Sequence, residues 1–245
     1  MIFLAILLLA CAPAQPAPTG EQPQQQITVH SVEGLGAQQV VTGTPYTATI
    51  LIDTTQTLTD GNRIVSHSTE SVARDGAGRI RRELRISNVG ALPVAGPAVI
   101  VIADPVSHLD YILDPASHTV RMSKPQIITL SPGENERATA PNPKRRQVTR
   151  ENLGTQTIDG VMAEGTRVTS TLPAGSVGNE QPLSTSVETW YSHDLQTVIL
   201  RKRNDLRLGL TVYRLTDIHR GEPDASLFRV PADYKVLPGP KDSSR

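Results

Sequence analysis

Residues 183–234 read LSTSVETWYSHDLQTVILRKRNDLRLGLTVYRLTDIHRGEPDASLFRVPADY, and this stretch decides the fold. Short turn sequences separate three runs rich in Thr, Val, Ile and Leu, a pattern typical of an antiparallel meander. A compact segment with two prolines follows the third run, and we call it the clasp (residues 222–234). The stretch contains Trp190, the only tryptophan, and Phe228, one of two phenylalanines. Because aromatic residues make up only 3% of the chain, we expect both to anchor a hydrophobic core.

Strand-like runs and turns also alternate upstream, from residue 46 onward. In residues 46–52 apolar side chains recur at every second position, which predicts a half-buried strand. Turn sequences at 59–62, 75–78 and 159–160 contain Asp-Gly pairs, which accept positive φ at low cost and connect neighbouring antiparallel strands. Two Asp-Pro pairs, Asp104-Pro105 and Asp114-Pro115, bound a further hairpin or meander.

The predicted fold is mainly β: a single large curved antiparallel sheet or half-barrel with few short helices. About ten strands are recognisable, and no run shows the apolar periodicity of a three-turn amphipathic helix. This pattern argues against a doubly wound α/β fold, which needs alternating helices. We expect one β-rich domain over residues 40–237 and a disordered tail over 238–245. The polar stretch from 124 to 146 is predicted to be a long loop, or equally a lid over a cavity.

The N-terminus predicts export. Residues 1–10 are uninterruptedly apolar but reach only about half the roughly 20 residues that a membrane-spanning helix needs, and prolines follow at once. Residues 1–14 therefore resemble a signal peptide, although no Lys or Arg precedes the apolar run. Residues 15–39 form a Pro- and Gln-rich flexible tether and a transition to the folded domain. The expected location is the periplasm or outer envelope.

Two cleavage sites compete in this segment. Residues 8–11, Leu-Leu-Ala-Cys, resemble a bacterial lipobox that would make Cys11 a lipidated first residue. Residues 12–14, Ala-Pro-Ala, resemble an ordinary signal peptidase site that leaves Gln15 as the N-terminus. Cys11 is the only cysteine, so either cleavage predicts a mature domain without a disulfide. Membrane association is expected only through a lipidated Cys11.

Charge and motif spacing exclude several functions. Lys+Arg and Asp+Glu number 24 each, and this balance argues against a nucleic-acid binder. The six histidines lack the close spacing of a metal site. His108 and His118 have aspartates nearby and could meet across a hairpin, but this pattern is weak, and both are interpreted as polar turn residues. Ser192-His193-Asp194 is interpreted as a turn, because catalytic triads assemble from residues distant in sequence. No catalytic, cofactor or metal site is predicted.

Three basic clusters lie at residues 79–82, 144–146 and 201–203. A cluster of this kind can contact anionic lipid or a polyanion, at about 1 kcal/mol for each Lys or Arg near such a surface. Acidic residues are interspersed elsewhere in the chain, and solvated strand faces are the favoured interpretation.

Longer motifs carry a family resemblance over about residues 40–237. They run over 153–167, 188–195, 213–218 and 221–234, with Asp60-Gly61-Asn62, residues 75–83 and the two Asp-Pro turns upstream. They resemble a group of exported bacterial proteins common among soil acidobacteria, a resemblance that implies no specific function. The residues that carry its structural signature in the closing stretch are Trp190, Tyr191, Asp194, Phe228, Pro231 and Tyr234.

More distantly, the meander and the closing Leu-Phe-x-Val-Pro are similar to the LolA-like proteins. That resemblance implies an antiparallel half-barrel around an apolar cavity for acyl chains. The group includes lipoprotein carriers and receptors and a periplasmic stress-sensing regulator. This chain lacks obvious lid helices, a departure from the pattern of that group.

The function expected from the sequence is that of a non-catalytic binding module for a lipid, a lipoprotein or an envelope partner, with no cofactor. Two alternatives stay open. One is an extracytoplasmic enzyme, such as a metal-dependent hydrolase, with a site formed by dispersed residues. The other is a structural or stress-sensing envelope protein.

Overall fold

The computed structural model describes residues 40–89, 92–124 and 146–238. These residues form twelve strands and one turn of 3₁₀ helix, Ala225–Phe228. In chain order the strands are β1 (Tyr46–Thr57), β2 (Arg63–Arg74), β3 (Ile80–Val89), β4 (Leu92–Asp104), β5 (Leu109–Asp114), β6 (Thr119–Ser123), β7 (Gln147–Ile158), β8 (Val161–Leu172), β9 (Leu183–Ser192), β10 (Thr197–Asp205), β11 (Gly209–Arg220) and β12 (Lys235–Leu237).

All twelve strands belong to one sheet, in the order β12-β6-β5-β4-β3-β2-β1-β11-β10-β9-β8-β7. Each of two meanders, β1–β6 and β7–β11, pairs consecutive strands, and β1 pairs with β11 to join them. Every neighbouring pair is antiparallel except β12 with β6, which is parallel. The prediction of a mainly β fold built on one large sheet is confirmed.

Turn chemistry explains where the hairpins form. Asp159 and Gly160 adopt φ of 46° and 76°, the positive values that a tight two-residue hairpin turn requires, and they connect β7 to β8. After β4, the Asp104 carboxylate accepts hydrogen bonds from the backbone N–H groups of Val106 and Ser107. Asp114 accepts the equivalent bonds after β5. Aspartates of this kind mimic a backbone turn, which is why the predicted turn positions hold.

Two groups of buried side chains stabilise the sheet. The first lies where β1 and β2 meet strands β7–β11, and it includes Ile50, Trp190 and Leu215. The second covers one face of β2, β4, β5 and β6, where the clasp places Phe228 against Ile102, Leu113 and other apolar residues. The clasp therefore packs on a face of the sheet, and the chain leaves it as β12 along the edge of β6.

The structure extends two predicted strands and adds one that was not predicted. β4 begins at Leu92, within the glycine-containing stretch that precedes the apolar run of residues 98–103. β7 begins at Gln147, four residues before Glu151, where the sequence predicts that the strands resume. β12 was not predicted, since three residues are too short to show a periodicity.

The edge strand β7 is interrupted by a bulge between Asn152 and Gly154. Gly154 adopts φ of 77°, and its N–H donates to the Asn152 side-chain oxygen at 2.7 Å. Such a bulge bends the strand and breaks the regular ladder.

The predictions for residues 1–39, 125–145 and 239–245 fall outside the described residues. They concern the signal peptide, Cys11, the tether, most of the polar stretch and the tail. Within the part of the chain that is described, no helix has the length and apolar character needed to cross a membrane.

Candidate functional site

A shallow pocket lies on one face of strands β8, β9 and β10 and has a volume of about 260 Å³. Strand register builds its floor. Val168 stands opposite Val187, and Leu172 stands opposite Leu183, so two apolar cross-strand pairs line the pocket. Since directly opposed residues share a face of the sheet, both apolar pairs lie on the same face, with the polar pair Ser170 and Thr185 between them.

The rim of the pocket is cationic. The lining residues include four arginines and one aspartate, namely Arg146, Arg201, Arg203, Arg207 and Asp205. Arg203 stands opposite Val187 in the register, and Asp205 stands opposite Thr185. The pocket therefore joins an apolar floor to an excess of guanidinium groups.

Asp205 fixes the geometry of this rim. Its side chain is 2% exposed and accepts bonds from the Arg207 backbone N–H at 3.0 Å and the Arg207 guanidinium at 3.3 Å. Arg203 and Thr185 also donate to it. The bonds from the Arg207 side chain and backbone lower the pKa of Asp205 to about 2, so the group is ionised at neutral pH. One carboxylate thus holds two of the four arginines in place.

Because side chains alternate along a strand, the three basic residues 201–203 of β10 are divided between the two faces of the sheet. Arg201 and Arg203 lie two positions apart and line the pocket, whereas Lys202 points to the opposite face. The sequence interpretation of residues 201–203 as a solvated strand face is therefore incomplete, because two of the three side chains line a pocket. Of the cluster 144–146, only Arg146 is described, and it lines the same pocket.

The opposite face carries a row of alternating charges. Glu151, Arg167, Glu188 and Lys202 stand opposite one another on β7, β8, β9 and β10. Arg167 donates to Glu151 at 2.9 Å and to Glu188 at 3.0 Å, and Lys202 donates to Glu188 at 3.1 Å. Opposite charges match along this row, so this face does not share the cationic excess of the pocket.

Trp190 contributes to the same row. Its indole N–H donates to the Glu188 carboxylate at 2.9 Å. That bond, followed by those from Arg167 and Lys202, lowers the pKa of Glu188 to about 2. The Trp190 ring covers Gly165 on β8, where a Cβ would lie 2.7 Å from ring atoms. The only tryptophan is thus both a core residue, 7% exposed, and a hydrogen-bond donor to the charge row.

Ser192, His193 and Asp194 have separate partners and do not form a relay. The Ser192 hydroxyl is buried and accepts from the Leu195 N–H at 3.4 Å. His193 contacts the Glu164 carboxylate at 3.0 Å and meets the Tyr191 ring edge-on. Asp194 pairs with Arg220 at 3.4 Å. The trio lies at the end of β9 and in the following turn, as the sequence predicted.

His108 and His118 do not meet. They occupy the turns before and after β5, with φ of 55° and 50°, and so lie toward opposite ends of that strand. His118 instead binds Asp233 at 2.7 Å and stacks on the Tyr234 ring. Within the described ranges, no group of three or more potential metal ligands is present.

The remaining signature residues of the clasp have structural contacts. Phe228 is 5% exposed and lies beneath the Arg79 guanidinium. The Tyr234 N–H donates to the Pro231 carbonyl at 3.1 Å. The Asp224 side chain caps the 3₁₀ turn by accepting from the Ser226 N–H at 2.8 Å.

The basic cluster at residues 79–82 is only in part a solvated face. Arg79 pairs with Asp75, and Arg81 pairs with Glu83. Arg82, however, is 1% exposed and forms a buried ion pair with Glu70. The sequence interpretation is wrong for Arg82, because its strand is covered on the side that carries this residue. Its partner on β2 could not be read from local spacing.

The pocket was not predicted from the sequence. Its only local signal is the pair of arginines two residues apart on β10, and the apolar floor comes from β8 and β9. Cross-strand register, which a single sequence does not show, brings these parts together.

Comparisons with known proteins give structural similarities only. No protein-family model matches the chain, and no curated protein matches it. An uncharacterized conserved protein from Thermus thermophilus is similar at 12% identity and a TM-score of 0.43, with 80% of this chain and 90% of that chain covered. A LolA superfamily protein from Nitrosomonas europaea is similar at 11% identity and a TM-score of 0.32, with 76% and 90% covered.

The complex of MucA and MucB from Pseudomonas aeruginosa is also similar, at 13% identity and a TM-score of 0.41. That match covers 79% of this chain and 58% of the other. The sequence motifs predicted a distant similarity to LolA-like proteins, and a protein so named is among these structures.

Proposed function

We propose that this protein is a non-catalytic binding module of the cell envelope whose ligand is a lipid or the lipid part of a lipoprotein. The pocket on β8–β10 is the observation that supports this function most directly. Its apolar floor and its arginine rim match a ligand with an apolar chain beside an anionic group.

Two contributions to the binding free energy favour such a ligand. Apolar surface removed from water contributes about 25 cal/mol for each Å². A hydrogen bond to a charged group contributes about 1.5–3 kcal/mol, and guanidinium groups match carboxylate and phosphate oxygens in bidentate geometry. A purely apolar ligand would use only the floor, and a small inorganic anion would use only the rim.

The size of the pocket limits what it holds. Its volume of about 260 Å³ lies below the range of roughly 300–1,000 Å³ for sites that enclose a drug-sized ligand. The pocket accommodates the anionic group and the first part of an acyl chain, and the rest of the chain extends along the sheet.

The proposed location is the periplasm or outer envelope. The apolar N-terminal run and the small residues after it support export, and Cys11 provides a lipid anchor if the lipobox is used. Mass measurement of the membrane-extracted protein distinguishes a lipidated Cys11 from a start at Gln15.

Titration of the full chain with cis-parinaric acid, a fluorescent fatty acid, tests the proposed function. We expect Arg203→Glu to weaken binding about tenfold, because a charge-assisted bond is replaced by repulsion. Arg214→Glu is the matched control: it makes the same charge change at an exposed residue of β11 that does not line the pocket.

Saturable binding that falls only in the Arg203 variant supports the proposal. Equal affinities of the two variants, or no saturable binding by the unaltered chain, contradict it. Thermal melts of both variants confirm that a loss of binding is not a loss of fold.

A further inference from the structure

Several exposed apolar side chains collect at one end of the sheet. The turn between β10 and β11 presents Leu206 and Leu208, which are 71% and 55% exposed. The turn between β1 and β2 presents Leu58, and the connection between β8 and β9 presents Val177, at 38% and 68% exposure. We call these four side chains the tip surface.

Strand register places all three connections at the same end. Thr57 pairs with Arg63 at the end of the β1–β2 hairpin, and Asp205 pairs with Gly209 at the end of the β10–β11 hairpin. Thr55 pairs with Leu210, so these hairpins are neighbours. Leu172 pairs with Leu183 at the same end of β8 and β9.

The turn that carries the two most prominent leucines is held rigidly. Leu208 N–H donates to the Asp205 carbonyl at 3.1 Å, and the Asp205 carboxylate binds the Arg207 N–H at 3.0 Å. Gly209 has φ of 88°, and a Cβ there would lie 2.2 Å from the Thr55 carbonyl oxygen. Only glycine permits this close approach of the two hairpins. The turn therefore has a defined conformation that keeps both leucine side chains exposed to solvent.

Basic residues surround these apolar side chains. Arg63 begins β2, Arg146 precedes β7, Arg203 lies near the end of β10, and Arg207 lies within the β10–β11 turn. Among the acidic residues at this end, Asp205 is buried and bound by Arg203 and Arg207. Asp60 and Glu180 lie in the neighbouring connections, and the Asp60 carboxylate accepts from the Asn62 N–H. Among the described residues around the leucines there are four arginines and three acidic residues, Asp60, Glu180 and Asp205.

From this arrangement we propose that the tip surface docks on an anionic lipid bilayer. Leucine side chains on a rigid turn enter the boundary between head groups and acyl chains, where apolar surface leaves water. Arginine side chains extend their polar ends to the phosphate level, and each contributes through the negative surface potential. Single exposed leucines are ordinary on protein surfaces, but a group of them edged by arginines at one end is complementary to this partner in both apolarity and charge.

This contact is separate from the lipid anchor expected at Cys11, and it does not require the ligand pocket to be used. Docking of the tip surface does, however, bring the ligand pocket close to the bilayer. Leu206 and Arg207 belong both to the turn and to the pocket lining, so docking brings the pocket to the head-group layer.

Co-sedimentation with vesicles tests the proposal. The full chain carries Cys11→Ala in every variant, so that lipidation contributes nothing, and the vesicles contain phosphatidylcholine either alone or mixed with phosphatidylglycerol. We expect Leu206→Ser with Leu208→Ser to weaken binding to the mixed vesicles at least about tenfold, given the apolar area lost. Arg63→Gln is expected to weaken it about fivefold, and that loss should vanish at high salt.

The matched control is Val106→Ser with Met162→Ser. These two side chains are 66% and 65% exposed but lie at the opposite end of the sheet, after β4 and beside the β7–β8 turn. Equal binding of the tip and control variants overturns the proposal. Thermal melts check that each variant is folded.

A fluorescent label separates docking by the tip from attachment by the N-terminal apolar run, which all variants share. A nitrobenzoxadiazole label at Leu206→Cys is expected to shift to shorter wavelength on mixed vesicles, whereas the same label at Met162→Cys is not. No shift at position 206 overturns the proposal. So does a concentration-dependent dimer that the leucine substitutions abolish, because a second copy would then cover this surface. Neither result depends on cis-parinaric acid binding, so failure of docking and failure of the proposed function are distinguishable.

Discussion

Glu188 shows at the scale of one residue how this sheet is stabilised. Its carboxylate receives bonds from Trp190 on its own strand, Arg167 on β8 and Lys202 on β10. An ion pair at the surface contributes little, but a carboxylate with three donors and 15% exposure is held much more firmly. The sequence does not reveal this arrangement, because its members are distant along the chain and meet only through strand pairing.

The lowered pKa of Glu188 makes the stability of the fold depend on pH. The value falls from the ordinary 4.5 to about 2, so the folded state binds the proton less readily than the unfolded state does. The stabilisation is complete above the unfolded pKa, and it disappears as pH falls through the folded pKa of about 2. We expect Glu188→Gln to lower the free energy of unfolding by about 1–3 kcal/mol at pH 7.

Urea unfolding at a series of pH values measures this difference. The unaltered chain and the Glu188→Gln variant should converge as the pH approaches 2. A constant difference from pH 7 downward would show that the substitution acts through packing and not through charge. Asp205 titrates in the same range but is present in both chains, so it cancels in the comparison.

At the scale of elements, much of this fold can be predicted from local chemistry. Alternating apolar residues and Asp-Gly or Asp-Pro turns mark most of the strands, and Asp224 marks the cap of the 3₁₀ turn. Features that depend on distant partners cannot be predicted in this way. The parallel pairing of β12 with β6 and the pocket on β8–β10 follow from tertiary packing, which a single sequence does not display.

The clasp covers part of the sheet with few residues. Phe228 is packed among Ala73, Ile100, Ile102, Leu113 and Val120, and the chain then pairs with β6. We expect Phe228→Ala to lower the free energy of unfolding by about 3–5 kcal/mol, the usual cost of removing a buried phenylalanine. A thermal melt measures the effect.

Ser226→Ala is the control for that substitution, because Ser226 lies in the same turn but is exposed. Its effect should stay within about 1 kcal/mol, the size of the one hydrogen bond between its side chain and Asp224. An unchanged melting temperature in the Phe228 variant would contradict the assignment of Phe228 as a core residue.

At the scale of the whole molecule, the pairing of β1 with β11 makes one sheet out of two meanders. These strands, Tyr46–Thr57 and Gly209–Arg220, are separated by most of the folded chain. Ile50 and Leu215 stand opposite each other in this pairing, and each is 1% exposed. A substitution at this junction should therefore weaken both meanders together.

We expect Ile50→Ala to lower the free energy of unfolding by about 2–5 kcal/mol. Trp190 fluorescence reports on β9 alone, whereas far-ultraviolet circular dichroism reports on the whole sheet. The two transitions should coincide before and after the substitution, as for a cooperative unit. Separate transitions would show that the meanders unfold independently. Thr57→Ala is the control substitution, because Thr57 lies at an exposed position on the same strand.

The bulge on β7 bears on polymerisation. In the described part of the chain β7 pairs only with β8, so its outer side offers backbone donors and acceptors to another molecule. A flat edge strand of twelve residues would let a second copy add its own edge and so begin a fibre. The kink at Asn152 and Gly154 breaks such a ladder after a few residues. An edge interrupted in this way favours a molecule that stays dispersed over one that grows into a fibre.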